Sequence, residues 1–238
     1  MQFPTPLIPA RLLRRYKRFL ADMQLADGSE IVAHCPNPGS MLGLAVPGKS
    51  CWLSRHQGTR RKLANGWELA ELGPALVGLN TGQANAIVAE ALAAGRIAAL
   101  QGYDEIRREV RVGAQSRLDF LLTGGKQPDC YVEVKSVTLS RIPGLAEFPD
   151  ARTSRGTRHL EELAGLAAAG QRTMLLFLVQ RDDCSHVRCA ADIDPVYAAT
   201  LKAVAGQIEI RAFACRFGRD GNRPVTIELN REIPVEII

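Results

Sequence analysis

The chain changes rhythm more than once. Between residues 12 and 80, apolar and polar positions alternate in strand-sized runs at 19–25, 30–35, 48–54 and 67–72. Turn chemistry separates them: Ala26-Asp27-Gly28-Ser29 after the first, Pro36-Asn37-Pro38-Gly39 after the second, Asn65-Gly66 before the last. Such runs predict strands, with the first two forming a hairpin. Many short strands in so short a stretch predict a small β-barrel or sandwich. An OB-fold and an SH3-like barrel are both compatible with the pattern.

At Asn80-Thr81-Gly82 the period becomes helical. Residues 83–94 carry Ala86, Ile87, Ala89, Glu90, Ala91, Leu92, Ala93 and Ala94, mostly strong helix formers. Gly95 ends this helix, and 96–100 reads as a second short one. Strand character returns at 106–112, 117–122 and 130–135, the last two joined by Gly/Pro turn chemistry as a hairpin. Pro143, Gly144, Pro149 and Asp150 mark the segment beyond Leu139 as an irregular loop. A helix with its apolar stripe at Leu160, Leu163 and Leu166 comes next, capped by Thr157 or Ser154, with Glu161 and Glu162 in its first turns. The unbroken apolar run 174–179 predicts a strand buried on both faces. A helix from Asp194-Pro195 to Ala205 and strands at 208–213 and 225–229 complete the chain. The predicted class is α+β / α/β, a β-barrel over 1–80 followed by an α/β domain over 81–238.

Alternation along the 130–135 strand puts Glu133 and Lys135 on one face and Val132 and Val134 on the other. Asp119 lies on the neighbouring strand, between Leu118 and Phe120. Two carboxylates and an ammonium therefore converge on one side of a hairpin. Close carboxylates repel, and a proton or a cation relieves them. Asp119 and Glu133 are hard oxygen ligands of the kind that suit Mg2+, with Mn2+ as its substitute. Lys135 beside them is placed to orient water or neutralise a phosphate oxygen. These parts fit metal-assisted phosphodiester hydrolysis. The same pattern also describes the charged outer face of an ordinary hairpin.

Composition adds a partner class. The 238 residues carry a formal charge of +5, and 24 of the 30 basic residues are Arg, the side chain that forks onto phosphate. The charge clusters in three places, each a candidate DNA contact. Arg11, Arg14, Arg15, Lys17 and Arg18 form the first, interleaved with Tyr16 and Phe19, a mixture that suits a single-strand groove. Arg55, Arg60, Arg61 and Lys62, with His56, form the second, and Arg152, Arg155 and Arg158 the third. The alternative reading of such a cluster is a solvated basic edge strand. His159 continues the third cluster and reads as a phosphate contact or cap rather than a base. Gln180, just after the apolar strand, reads as a contact to the site or to DNA, or more plainly as a strand-end glutamine.

No apolar run reaches membrane-helix length and no secretory leader is visible, so no membrane partner is expected. The six scattered cysteines read as reduced thiols in a cytoplasm. Cys184-Ser-His186-Val-Arg-Cys189 has no second Cys/His pair at zinc-finger spacing. P-loop and dinucleotide fingerprints are absent.

The spacing Asp119-(13 residues)-Glu133-Val134-Lys135 resembles the PD-(D/E)xK nuclease core. His34-Cys35-Pro36-Asn37-Pro38-Gly39-Ser40-Met41, 132–139, Phe148-Pro149-Asp150-Ala151 and 155–163 resemble, in this order, the sugar fermentation stimulation protein family. The resemblance implies an N-terminal OB-fold-like domain, a C-terminal restriction-endonuclease-like α/β domain with a mixed central sheet, and DNA binding with little sequence preference. It also implies a regulatory role linked to maltose-type sugar metabolism, and does not itself imply cleavage. In PD-(D/E)xK enzymes an acid from the first helix often completes the metal site. Glu90 is the acid available in that helix here.

Overall fold

The structure is a computed structural model and describes residues 1–56, 62–113 and 116–237. Arg60 and Arg61 of the second basic cluster lie outside the described residues.

The first six strands are β1 (Ile8–Tyr16), β2 (Leu20–Leu25), β3 (Glu30–His34), β4 (Ser50–Arg55), β5 (Asn65–Leu72) and β6 (Ala75–Gly78). β1, β2 and β3 form an antiparallel meander, β4 returns alongside β1, and β5 pairs antiparallel with β4 and parallel with β3. That last pairing closes the barrel in OB order. Its interior is filled by Leu12, Met23, Met41, Leu44, Leu53 and Trp67, and the Trp67 indole N–H donates to the Leu69 carbonyl at 2.9 Å. Asn65-Gly66, expected as a turn, begins β5 instead. Gly66 is opposite Ser54 across the ladder, where even a Cβ would stand 3.0 Å from the Ser54 hydroxyl.

The second half comprises α1 (Ala84–Ala93), β7 (Glu105–Val112), β8 (Ser116–Thr123), β9 (Cys130–Val137), β10 (Leu139–Ile142), β11 (Leu145–Phe148), α2 (Ser154–Ala168), β12 (Arg172–Val179), β13 (His186–Cys189), α3 (Pro195–Val204), β14 (Glu209–Asp220), β15 (Arg223–Ile233) and β16 (Val235–Glu236). The central sheet has the order β15-β14-β12-β9-β8-β7. β9, β12 and β14 run parallel, and the outer strands are antiparallel to their neighbours. A helix, three antiparallel strands, a helix and a parallel strand follow the expected order. α1 covers one face through Ile87, Val88 and Ala91 against Phe120, Val132, Val134 and Leu176. α2 and α3 cover the other through Leu160, Leu163, Tyr197 and Leu201 against Leu175 and Phe177. β12 is buried on both faces, as its unbroken apolar run requires. A smaller sheet, β10-β11-β13-β16, flanks this one.

Two expectations are corrected. The segment 139–148 is a β10–β11 hairpin turning at Pro143-Gly144, with Gly144 at φ 80°, rather than an irregular loop. The cap of α2 is Thr153, whose hydroxyl accepts from Gly156 N at 3.0 Å, rather than Thr157 or Ser154.

The halves are joined by backbone. Gly78 N donates to Gln180 O at 2.7 Å, Val77 bridges to Arg181, and Leu76 N donates to Asp182 Oδ1 at 2.9 Å. The first residues cross the other way: Ile227 N donates to Met1 O at 3.0 Å and Phe3 N to Val225 O at 3.1 Å. All six cysteines are free thiols. Among the described residues no helix is long and apolar enough to cross a membrane.

Candidate nucleic-acid and metal site

β8 and β9 share only the pairs Leu122–Cys130, Leu121–Tyr131 and Phe120–Val132. Just past the end of this ladder the Asp119 carboxylate takes over as acceptor, receiving the Val134 N–H on Oδ2 at 2.7 Å. Its Oδ1 receives the Asn85 amide at 2.6 Å from the first turn of α1. A side chain thus satisfies a backbone donor where the strands part.

Glu133 and Lys135 project toward α2, because their ladder partners on β12 are Leu175 and Phe177. Lys135 Nζ lies 2.6 Å from Glu133 Oε1, with side chains only 11% and 4% exposed. His159, buried on α2, also meets Glu133 Oε1 through Nδ1, and its Nε2 accepts from Arg155 Nε at 3.3 Å. A guanidinium only donates, so Nδ1 carries the ring proton and donates to Glu133. The α2 N-terminus is anchored by Asp194, which accepts from Thr153 N at 2.8 Å and caps α3 through Tyr197 N at 3.0 Å.

Burial, and then the charge of Glu133, pushes the Asp119 carboxyl up to about 6, against the hydrogen bonds from Val134 and Asn85. Burial also works to raise Glu133. The His159 hydrogen bond and the Lys135 charge outweigh it and hold that carboxyl below its ordinary range. The two acids therefore sit apart in proton affinity, one ionised and one poised near neutrality. Among the described residues Glu133 Oε2 is buried with no hydrogen-bond partner, an arrangement that costs a free carboxylate dearly. A divalent cation between Asp119 and Glu133 would take that oxygen and quench the repulsion, so the donor set fits a hard cation.

Glu90 does not join it. Its carboxylate pairs with the Met1 amino group at 2.6 Å and its side chain is 48% exposed. Asn85, five residues earlier on the helix, occupies the place expected of that acid. A helix residue at that spacing points to a different side. Among the described residues no group of three or more Asp, Glu, His or Cys is gathered as for a metal. Gln180 is fully buried, donating to Ser136 Oγ at 2.6 Å, while its Oε1 has no partner among the described residues.

The basic clusters divide by use. Arg11 donates to the Gly48 carbonyl, and Arg14 pairs with Asp22 at 2.6 Å, across the β1–β2 ladder. Arg15 is a clamp: its Nη2 donates to the carbonyls of Asn37 and Gly39, both at 2.9 Å, and its Nε to Arg18 O at 3.1 Å. That clamp shapes the Pro36–Pro38–Gly39 loop, against which Asp150 of the second domain packs so closely that a Cβ on Gly39 would overlap its carboxylate. Lys17 and Arg18 occupy the β1–β2 turn with positive φ. Arg55 and Lys62 are exposed, as are Arg152, Arg155 and Arg158 at the start of α2 beside His159. A fourth cluster is not evident from the sequence. Arg107, Arg108, Arg111 and Arg117 are exposed on β7 and β8, and Arg111 faces Arg117 across the ladder. Like charges directly opposite destabilise a ladder. The pairing signal lies in the register of a hairpin whose second strand begins only two residues before Leu118.

Two family models match. One described as the SfsA N-terminal OB domain covers residues 13–79, and one described as the sugar fermentation stimulation protein RE domain covers 82–221. A sugar fermentation stimulation protein homolog of Maricaulis maris is 50% identical over 97% of this chain and 100% of its own. The homolog of Ruegeria sp. is 58% identical over 85% of this chain and 88% of its own. The solved structure of Pyrococcus furiosus SfsA in complex with Ca2+ superposes with a TM-score of 0.86 at 28% identity, covering 100% of this chain and 98% of that one. With an OB barrel, a restriction-endonuclease-like domain and relatives matched end to end, the chain belongs to the sugar fermentation stimulation protein family.

Proposed function

We propose that this chain binds DNA with little sequence preference, and that Asp119 and Glu133 in its second domain (81–238) hold a divalent cation, Mg2+ or Mn2+, for phosphodiester hydrolysis. The observation that carries the reading is the buried Glu133 Oε2, unpartnered among the described residues, beside an Asp119 carboxyl pushed up to about 6. A relative described in complex with Ca2+ supports divalent-cation use. When bound, such a cation polarises a phosphoryl oxygen and makes its bound water more acidic. The chain's own residues do the rest. Asn85 and the Val134 N–H fix the Asp119 carboxylate, and His159 fixes Glu133. Lys135 supplies positive charge beside the phosphate. The exposed Arg152, Arg155 and Arg158 at the start of α2, and Arg111 and Arg117 on β7 and β8, attract the DNA backbone.

A second reading keeps the DNA binding and drops the cleavage: a regulatory factor linked to maltose-type sugar metabolism, using the second domain as a platform. It is favoured by the saturation of the other three carboxylate oxygens, which already receive Asn85, Val134, Lys135 and His159. In either reading the free thiols suit a reducing cytoplasm.

The test is calorimetric titration of Ca2+ and Mn2+, with plasmid nicking in Mg2+ or Mn2+ against chelator. Wild-type protein is expected to bind the ion and nick. Glu133→Gln should do neither, and Lys135→Ala should bind without nicking. Full activity in Glu133→Gln would assign the nicking to a contaminant and leave the platform reading. Absence of ion binding by folded wild-type protein removes the metal site itself.

A further inference from the structure

A cleft of about 730 Å3 opens on the barrel, of a size that small ligands occupy. Leu20, Val32 and Leu63 give it apolar walls, and His34 and Lys62 also line it. Glu68, 3% exposed, contributes a carboxylate held by Ser54 Oγ at 2.6 Å and by the amides of Asn80 and Gln83, each at 3.1 Å. The absence of a side chain at Gly66 keeps the space open, since a Cβ there would stand 3.0 Å from Ser54 Oγ and 3.2 Å from His56 Nε2. The His34 ring lies nearly parallel to the exposed Phe19 ring, at 6.4 Å and 12°, and the Arg18 guanidinium sits 5.4 Å from the Phe19 centroid. A cation and two rings thus run in sequence toward the cleft.

We infer that this cleft receives one unpaired nucleobase of a DNA strand, so that the barrel engages single-stranded rather than fully paired DNA. A base has apolar faces that match the walls and the Phe19–His34 stack, and N–H groups on its edge that match a fixed carboxylate. The phosphates on either side of it are bracketed by the exposed cations Arg18 and Lys62. Paired and stacked bases present neither face nor Watson–Crick edge, so a duplex cannot enter without extruding a base. The inference rests on the DNA-binding reading and adds strandedness and a specific receptor to it.

The test is fluorescence anisotropy of the full-length protein with a labelled single strand of roughly a dozen nucleotides, a length one such barrel can engage, and with its duplex at the same salt. The variants are Phe19→Ala and Val32→Asp. Both positions are exposed, at 40% and 38%, so the fold is kept, as unchanged thermal melting will verify. Wild-type protein is expected to prefer the single strand. Each variant should lose about tenfold on it, the scale of one lost stack, and less than twofold on the duplex. If duplex binds while both variants leave single-strand affinity unchanged, or if both substrates weaken in parallel, the base receptor is wrong and DNA binding stands. If wild-type protein binds neither form, both readings fall.

Discussion

The Asp119 carboxylate hangs from the backbone of Val134, accepting its N–H at 2.7 Å where the β8–β9 ladder has ended. The acid is held by the strand that carries the other two site residues, so the three are fixed relative to one another before any ligand arrives. Such fixing is what a preorganised site requires.

This placement has a stability cost with a defined pH window. In the unfolded chain an aspartate ionises near pH 4, whereas the folded Asp119 is pushed up to about 6. Between those values the folded protein holds more protons, so stability declines as pH rises from about 4 to about 6, and the benefit of the protonated acid is absent above that. The stability of Asp119→Asn relative to wild type is therefore expected to rise by on the order of 2 kcal/mol between pH 4 and pH 7 without divalent ions. Denaturant melts across that range check it, and a constant gap at all pH values would show that burial and Glu133 do not set this acid.

His159 is expected to carry stability through Glu133. Removing one partner of a buried hydrogen-bonded pair costs about 3 kcal/mol, and a protein of this size then melts roughly 6–12 °C lower. His159→Ala should show that loss at pH 7. Because the Glu133 carboxyl is held below its ordinary range, its contribution is present above that range and fades as pH falls through it. The gap between His159→Ala and wild type should accordingly narrow in acid.

Adjacent arginines on β1 are expected to behave differently. Arg15→Ala strips donors from the Asn37 and Gly39 carbonyls and should cost about 2 kcal/mol, with Arg15→Lys recovering little, since an ammonium lacks the fork. Arg14→Ala loses only an exposed pair and should cost clearly less than Arg15→Ala. Equal costs in urea melts would show that Arg15 is no clamp.

Gly39 and Asp150 form a contact between the domains that admits no side chain. Gly39→Ala forces a shift of the Asp150 carboxylate or of the loop, an overpacking of about 1–3 kcal/mol. Asp150→Ala should be milder, and the double variant should be far closer to Asp150→Ala than additivity allows. Additive costs would mean the two residues do not meet.

Asp119, Glu133 and Lys135 are legible in the sequence because a strand has a period of two and the hairpin between them is short. His159 is visible there only as one more basic residue. Its meeting with Glu133 depends on where α2 docks, which local pattern does not encode. The same holds for Asn85. A helix offers several positions to a site, and residue type alone points to the acid Glu90, whereas docking of α1 presents Asn85. The β10–β11 hairpin is hidden because Pro143 and Gly144 look like breakers, although a two-residue turn needs such residues. In the basic clusters the sequence marks charge but not what each charge holds: Arg15 binds carbonyls of its own chain, and Arg111 and Arg117 are neighbours only through register.

The backbone seam between the halves matters for anyone dividing the molecule. A fragment stopping at residue 80 would keep β6 but lose Gln180, Arg181 and Asp182, leaving the Leu76 and Gly78 amides without acceptors on an open edge suited to self-association. The complementary fragment would lose Met1 and Phe3 from alongside β15 and strand the Glu90 carboxylate. The chain is stitched twice, in opposite directions, so its two halves are separable on paper but mutually required as folded solids.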